Sequence, residues 1–156
     1  WAVRSGRFAF SILGPAEFSG FHTGNTSLHA DVRNFVATQD LTAQNFNDTI
    51  TGNDIVLVDF WASWCGPCRA FAPTFTASSD KHPDVVYGKV DTEAEQELAA
   101  AAEIRSIPTL MAFKKGKLVF NQAGALPPAA LEDLIRQVKD FDVDAAIADQ
   151  TQSENS

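Results

Sequence analysis

The stretch from Asp54 to Trp61 constrains the fold more than any other part of this chain, because it is apolar on consecutive residues. A strand with one face in solvent alternates apolar and polar side chains, whereas a strand buried on both faces is apolar throughout. Strands of the second kind lie in the centre of parallel or mixed sheets that helices cover on both sides. The run therefore predicts the central strand of an α/β domain.

Strand-like and helix-like segments alternate on both sides of this run. Strands are predicted at residues 35–38, 85–90, 109–113 and 117–122, and helices at 42–50 with Thr42 as cap, from Cys65 onward, at 93–103 and from Pro128 onward. The last helix has one apolar face, formed by Leu131, Leu134, Ile135 and Val138. Strands interleaved with helices and ending in a hairpin predict an α/β fold with a central mixed β-sheet flanked by helices on both faces.

The chain has 156 residues and is 45% hydrophobic, which suits one domain with a sizeable core. We divide it into an unstructured or appended leader at 1–34, a domain at 35–141 and an acidic tail at 142–156. The tail has no basic residue and few large apolar ones, so we expect a mostly solvated, disordered end.

Charge and hydropathy exclude two classes of partner. The formal net charge of −8 would repel a phosphate backbone, so nucleic acid is not expected to bind. No run of 18 apolar residues occurs, which predicts that no helix spans a membrane.

Both cysteines of the chain, Cys65 and Cys68, flank the dipeptide Gly66-Pro67 where a helix is predicted to begin. Unpaired N–H groups and the helix dipole at such a position favour the thiolate of Cys65. Cys68 lies almost one turn further along the same helix face and can close a small disulfide ring. Pro67 fixes this turn at little cost, since its missing N–H would be idle there. The spacing indicates a dithiol that interconverts with a disulfide.

Two other interpretations of the cysteine pair remain open. Zinc would need two further ligands, and the histidines available are His22 and His29 in the leader and His82 in a loop. No metal site is therefore expected. Inert core cysteines are the other interpretation, although an exposed helix start beside Trp64 and Arg69 is a poor place for them.

Asp59 interrupts the apolar run, so in a central strand its carboxyl would be desolvated and its pKa raised. A carboxyl that is neutral near pH 7, six residues before Cys65, could exchange a proton with a nearby thiol. The alternative is a structural ion pair, for which Lys89 on the next predicted strand is the candidate partner.

Several motifs occur in order along the chain: Val58 to Ala62, Trp64 to Cys68, Pro73, Lys89 to Asp91, Ile104 to Thr109, and Gly124-Ala125. This series resembles the thioredoxin family over about two thirds of the chain. The resemblance implies the thioredoxin fold. It also implies that Cys65 is the nucleophile, that Cys68 is the resolving thiol, and that Asp59, modulated by Lys89, transfers a proton at Cys68.

The resemblance further implies a substrate groove, with a cis Ile107-Pro108 bond and the Ile107 backbone pairing with an extended substrate segment. Trp64 and Gly124 would line the apolar contact surface, whereas packing is the expected role of Trp61. The chain departs from the family pattern in its leader, its tail and Gly88, an unusual residue within a strand.

The Gly-Pro dipeptide resembles the reducing members of the superfamily and implies a protein-disulfide reductase that serves cell redox homeostasis. No bound cofactor is expected, because electrons would come from NADPH through a flavin-containing thioredoxin reductase. The expected partners are that reductase and disulfide-containing substrate proteins, and we expect a cytoplasmic monomer. The alternative is a redox-independent protein-binding module that uses the same apolar surface.

Overall fold

The structure is a computed structural model that describes residues 38–154. Its strands are β1 (Thr38–Asp40), β2 (Ile55–Trp61), β3 (Val86–Asp91), β4 (Thr109–Lys114) and β5 (Lys117–Ala123). Its helices are α1 (Phe46–Gly52), α2 (Gly66–Lys81), α3 (Gln96–Ala101), α4 (Pro128–Asp140) and α5 (Val143–Glu154). The leader at 1–34 and most of the strand predicted at 35–38 lie outside the described residues.

The strands form one mixed sheet in the order β1-β3-β2-β4-β5. The apolar run forms β2, which lies in the centre, parallel to β3 and antiparallel to β4, and only its last residue, Trp61, is not fully buried. The predicted fold class, a mixed sheet flanked by helices on both faces, is confirmed.

Alternate residues of β2 enter two separate cores. On one face Leu57 packs with Phe75 of α2 and Leu131 of α4, and on the other Val58 packs with Ile50 of α1 and, at its edge, Leu98 of α3. The four apolar residues predicted on one face of the last helix are all buried. Helices therefore cover both faces of the sheet. A short loop joins the carboxyl end of β2 to the start of α2.

Two helices begin later than predicted. Thr42 belongs to a turn in which its N–H donates to Asn45 Oδ1 at 2.7 Å, so α1 is preceded by Asn45. The Oδ1 of Asp91 accepts the N–H groups of Glu93 and Ala94, which forms a turn before α3. In both places a side-chain oxygen of Asn or Asp accepts nearby backbone N–H groups, and this local turn replaces the first part of the predicted helix.

The tail forms a helix, α5, where a disordered end was expected. Asp142 Oδ1 accepts the N–H of Ala145 at 2.9 Å, which caps the helix, and Val143 is buried beside it. Most of the remaining described positions of α5 are exposed, as the composition predicts. Across the described residues, none of the helices has the length and apolar character needed to cross a membrane.

Gly88 in β3 has a steric explanation. A Cβ built at this position would overlap the buried side chain of Leu41, with Cγ at 2.8 Å. The absent side chain of Gly88 thus makes room for Leu41 in the core.

Candidate active site

The two cysteines form a disulfide at the start of α2. Cys65 occupies the N-cap position, and its Sγ accepts the backbone N–H of Cys68 at 3.2 Å. Pro67 lies in the first turn, as predicted, and Pro73 lies inside the helix. Both cysteines are buried, with 4% of Cys65 and 2% of Cys68 exposed, so the prediction of an exposed position for the pair was wrong. The site therefore presents the disulfide at the positive end of a helix, where a thiolate would be stabilised after reduction.

The histidine considered as a zinc ligand has other partners. His82 Nε2 lies 2.6 Å from Glu132 Oε2, and its Nδ1 lies 3.1 Å from Lys139 Nζ. Within residues 38–154 no group of three or more His, Cys, Asp or Glu side chains could hold a metal ion. His22 and His29 lie outside the described residues.

Of the predicted substrate-groove residues, Ile107 contacts the cysteine pair, and Gly124 is hydrogen-bonded to the adjoining Pro108. The Ile107-Pro108 bond is cis, and the carbonyl oxygen of Ile107 lies 3.8 Å from Cys65 Sγ. The N–H of Gly124 donates to Pro108 O at 2.7 Å, and Gly124 has a φ of 101°, which favours glycine. The fold thus brings together residues from α2, the loop before β4 and the end of β5.

Trp64 is the most exposed large apolar side chain described, with 66% of its surface in solvent. Its indole Nε1 donates to Glu93 Oε1 at 2.6 Å. Trp64 and Ile107 also border an open groove of about 530 Å³ that reaches to α3 and Arg105. Sequence reasoning missed Glu93, because 29 positions separate it from Trp64 and no local pattern links them.

Asp59 is buried on β2, with 1% of its surface exposed and no hydrogen-bond partner for either carboxylate oxygen. Desolvation raises the pKa of Asp59 from 3.8 to about 7, and the nearby positive charge of Lys89 lowers it in part.

The structural ion pair considered for Asp59 is absent from the described residues. The Lys89 Nζ lies over the Trp61 ring, 4.8 Å from its centroid, although Lys89 and Asp59 are register partners on β3 and β2. Lys89 therefore acts on the carboxyl through its field and not through contact.

Comparison with known proteins agrees with this geometry. A family model described as Thioredoxin matches residues 37–137. The chain is 51% identical over 117 residues to a putative thioredoxin 2 of Streptomyces coelicolor, a match that covers 73% of this chain and 87% of that protein. It is 43% identical over 99 residues to thioredoxin C-3 of Corynebacterium nephridii, covering 63% of this chain and 68% of that one.

Solved structures give the same result. A mutant thioredoxin from Halobacterium salinarum aligns with a TM-score of 0.62 at 33% identity, covering 65% of this chain and 91% of that one. Thioredoxin from Plasmodium falciparum aligns with a TM-score of 0.60 at 35% identity, covering 64% of this chain and 98% of that one. The family model spans well over half of the chain and agrees with both the relatives and the fold, so the chain belongs to the thioredoxin family.

Proposed function

We propose that this chain is a protein-disulfide reductase that works by dithiol–disulfide exchange and serves cell redox homeostasis. The observation that carries the proposal is the Cys65–Cys68 disulfide in the first turn of α2. A pair in this position has an oxidised state and a reduced state, and the helix terminus favours the thiolate of the reduced state. The proposal refines the thiol–disulfide redox function that goes with the family.

The reaction has two exchange steps. The Cys65 thiolate attacks one sulfur of a substrate disulfide, so that a mixed disulfide forms and the other substrate sulfur leaves as a thiolate. Cys68 then attacks Cys65 Sγ, which releases the second substrate sulfur and closes the Cys65–Cys68 disulfide. Two electrons pass from the dithiol to the substrate, whose two thiolates take up protons. Gly66 and Pro67 keep the turn short enough for the second step.

Asp59 is proposed to accept the proton of Cys68 before the second step. A carboxyl with a pKa of about 7 can take up and return a proton near neutral pH, whereas an ordinary carboxyl would stay ionised. Lys89 modulates this group, because its positive charge lowers the pKa of Asp59.

The substrate is proposed to bind across Trp64, Ile107, Pro108 and Gly124. Trp64 offers an exposed ring, and the carbonyl oxygen of Ile107 lies beside Cys65 Sγ. An extended segment of the substrate would pair with the Ile107 backbone and so align its disulfide with Cys65.

We propose the reducing direction because Gly66-Pro67 resembles the reducing members of the superfamily. The oxidised protein would be returned to the dithiol by a flavin-containing thioredoxin reductase that draws on NADPH, with no cofactor bound to this chain. That cycle requires a reducing compartment, so we propose a cytoplasmic location. We also propose that the chain acts as a monomer. Cell fractionation and the mass in solution test these two points.

The test is reduction of the insulin disulfides by the full chain with NADPH and thioredoxin reductase. Cys65→Ser should abolish turnover, and Cys68→Ser should accumulate a covalent complex with the substrate, because the second step is blocked. Lys117→Met, an exposed change on β5, is the control and should keep the wild-type rate. Turnover by Cys65→Ser at the wild-type rate would exclude the reductase.

The exposed ring of Trp64 also suits the alternative, a binding module that does not need redox chemistry. The double variant Cys65→Ser, Cys68→Ser distinguishes the two in cells that lack the wild-type protein. Loss of the biological role supports the reductase, whereas full retention supports the binding module.

A further inference from the structure

Trp61 has no role in the exchange steps, although it packs against the cysteine pair. Its indole Nε1 is buried and has no hydrogen-bond partner. A buried N–H without an acceptor costs free energy, and a purely apolar ring would avoid that cost. Space filling alone therefore does not account for a tryptophan at this position.

The indole face of Trp61 contacts a cation. Lys89 Nζ lies 4.8 Å from the ring centroid, a distance at which the ring quadrupole attracts an ammonium group. Trp61 lies two residues after Asp59 on the same face of β2, and Lys89 is the register partner of Asp59 on β3. The three side chains thus occupy one face of two neighbouring strands.

Lys89 makes no ion pair with Asp59, although the two residues are side by side. Among the described residues no carboxylate lies within ion-pairing distance of Lys89 Nζ, and both Asp59 oxygens lack a partner. A lysine has a flexible stem of four carbons that could turn toward a neighbouring carboxylate. In the structure the Lys89 ammonium contacts the indole face of Trp61 instead of the Asp59 carboxylate.

We propose that Trp61 is a positioning residue for proton transfer: its indole face holds the Lys89 ammonium and so keeps that cation from pairing with the Asp59 carboxylate. A direct ion pair would lower the pKa of Asp59 further, and the carboxylate would then be too weak a base to take the proton of Cys68 efficiently near neutral pH. The link to proton transfer rests on the proposed function, whereas the effect of Trp61 on Asp59 does not.

Other titratable groups lie on the elements packed around this pair. The register partner of Asp59 on β4 is the apolar Leu110. The remaining titratable groups on the neighbouring elements are Asp40 on β1, Tyr87 and Asp91 on β3, Lys114 on β4, Arg69, Asp80 and Lys81 on α2, and the two cysteines at the start of α2. Asp40 is exposed, and the Asp91 carboxylate accepts backbone N–H groups of the following turn. Lys89 is the charged neighbour that acts on the pKa of Asp59.

The experiment is a ¹³C NMR titration of the Asp59 carboxyl in the oxidised full chain, in which the cysteines do not titrate. Asp59→Asn identifies the resonance by its loss. Trp61→Leu should lower the titration midpoint by about one pH unit, because Lys89 becomes free to approach the carboxylate. Trp61→Phe keeps a weaker aromatic face under the ammonium and should shift the midpoint downward by less than Trp61→Leu does.

Added hydration after Trp61→Leu could also lower the midpoint, so the same change is made in a Lys89→Met background. If Trp61 acts through Lys89, Trp61→Leu causes no shift in that background. A shift that persists without Lys89, or an unchanged midpoint in Trp61→Leu alone, overturns the proposal. The titration uses no substrate, so its outcome is independent of whether the chain reduces protein disulfides.

A second perturbation covers the case in which Trp61→Leu does not fold. Biosynthetic incorporation of 5-fluorotryptophan weakens the ring quadrupole with little change of shape, and a background with both Trp1→Phe and Trp64→Phe confines the label to Trp61. A smaller downward shift of the Asp59 midpoint is expected. An unchanged midpoint would contradict the role of the ring.

Discussion

Asp59 and Lys89 are register partners on the parallel strands β2 and β3, yet the Asp59 carboxylate is buried and accepts no hydrogen bond. Desolvation is the main cause of its raised pKa, and the charge of Lys89 only partly offsets it. The fold therefore favours the protonated form of this carboxyl. A group of this kind links stability to pH, independently of the proton transfer proposed for it.

The first prediction is that stability falls with rising pH and that Asp59 causes much of the fall. Below pH 3.8 the carboxyl is protonated in both the folded and the unfolded state, so folding does not bury a charge. Above about pH 7 it is ionised in both states, and the folded chain bears the penalty of desolvating the carboxylate. The free energy of unfolding should drop between these limits by something on the order of 4 kcal/mol. Asp59→Asn should be more stable than wild type at about pH 8.

Urea unfolding of the oxidised wild type and of Asp59→Asn, at several values between about pH 4 and 8, measures this difference. The two curves should approach each other at the acidic end and separate at the alkaline end. Parallel curves over the whole range would show that Asp59 is not the group responsible.

The second prediction concerns the rate of each exchange step. Asp59→Asn removes the proposed proton acceptor for Cys68 but leaves Cys65 at the helix N-terminus. Resolution of the mixed disulfide should therefore slow by about 100-fold, while the first attack changes much less. Single-turnover kinetics with a disulfide peptide separates the two steps. Equal rates of resolution in wild type and variant would rule out this role.

The third prediction concerns Lys114, a buried lysine on β4 that completes the end of α4. Its Nζ donates to the carbonyl oxygens of Val138, Lys139 and Phe141 at 2.9, 2.6 and 2.7 Å. Lys114→Met would leave these carbonyls without that donor, so we expect a loss of about 3 kcal/mol in the free energy of unfolding. Lys117→Met, an exposed lysine on β5, is the matched control and should change stability little. Chemical denaturation of both variants decides, and equal losses would refute the capping role.

The fourth prediction follows from the close contact between Gly88 and Leu41. Gly88→Ala places a methyl group where Leu41 packs and should cost about 1–3 kcal/mol. Gly52→Ala is the same substitution at a site with nothing within 4 Å, and it should be neutral or slightly stabilising. Thermal unfolding measures both. If Gly88→Ala is as stable as the wild type, Leu41 can move aside at little cost and the prediction is wrong.

The sequence alone was sufficient to predict the order of the elements and the central strand, because burial on both faces leaves a continuous apolar run. The hairpin was equally predictable, because the dipeptide Lys115-Gly116 stands between two strand-like segments. In the structure both residues adopt positive φ angles, as a tight turn requires. The helix of the tail was not predictable, because it depends on one hydrogen bond that Asp142 accepts from the Ala145 N–H and on the burial of Val143. Neither effect has a periodic signal.

The candidate site was predictable to a similar degree. The redox role of Cys65 and Cys68 was predicted from their spacing. Asp59 was singled out because it is an acid within an apolar run. The contacts of Glu93 with Trp64 and of Lys89 with Trp61 join residues about 30 positions apart in the chain. Only the packing of β3 and its following turn against β2 and α2 brings them together.

The most direct test of the reductase proposal is an equilibrium redox titration of the Cys65–Cys68 couple in dithiothreitol or glutathione buffers, read by thiol alkylation. A donor of electrons to protein disulfides should have a midpoint more reducing than about −250 mV. A midpoint between about −120 and −180 mV, the range of disulfide-forming and isomerising proteins, would contradict the proposed direction and the cytoplasmic location with it.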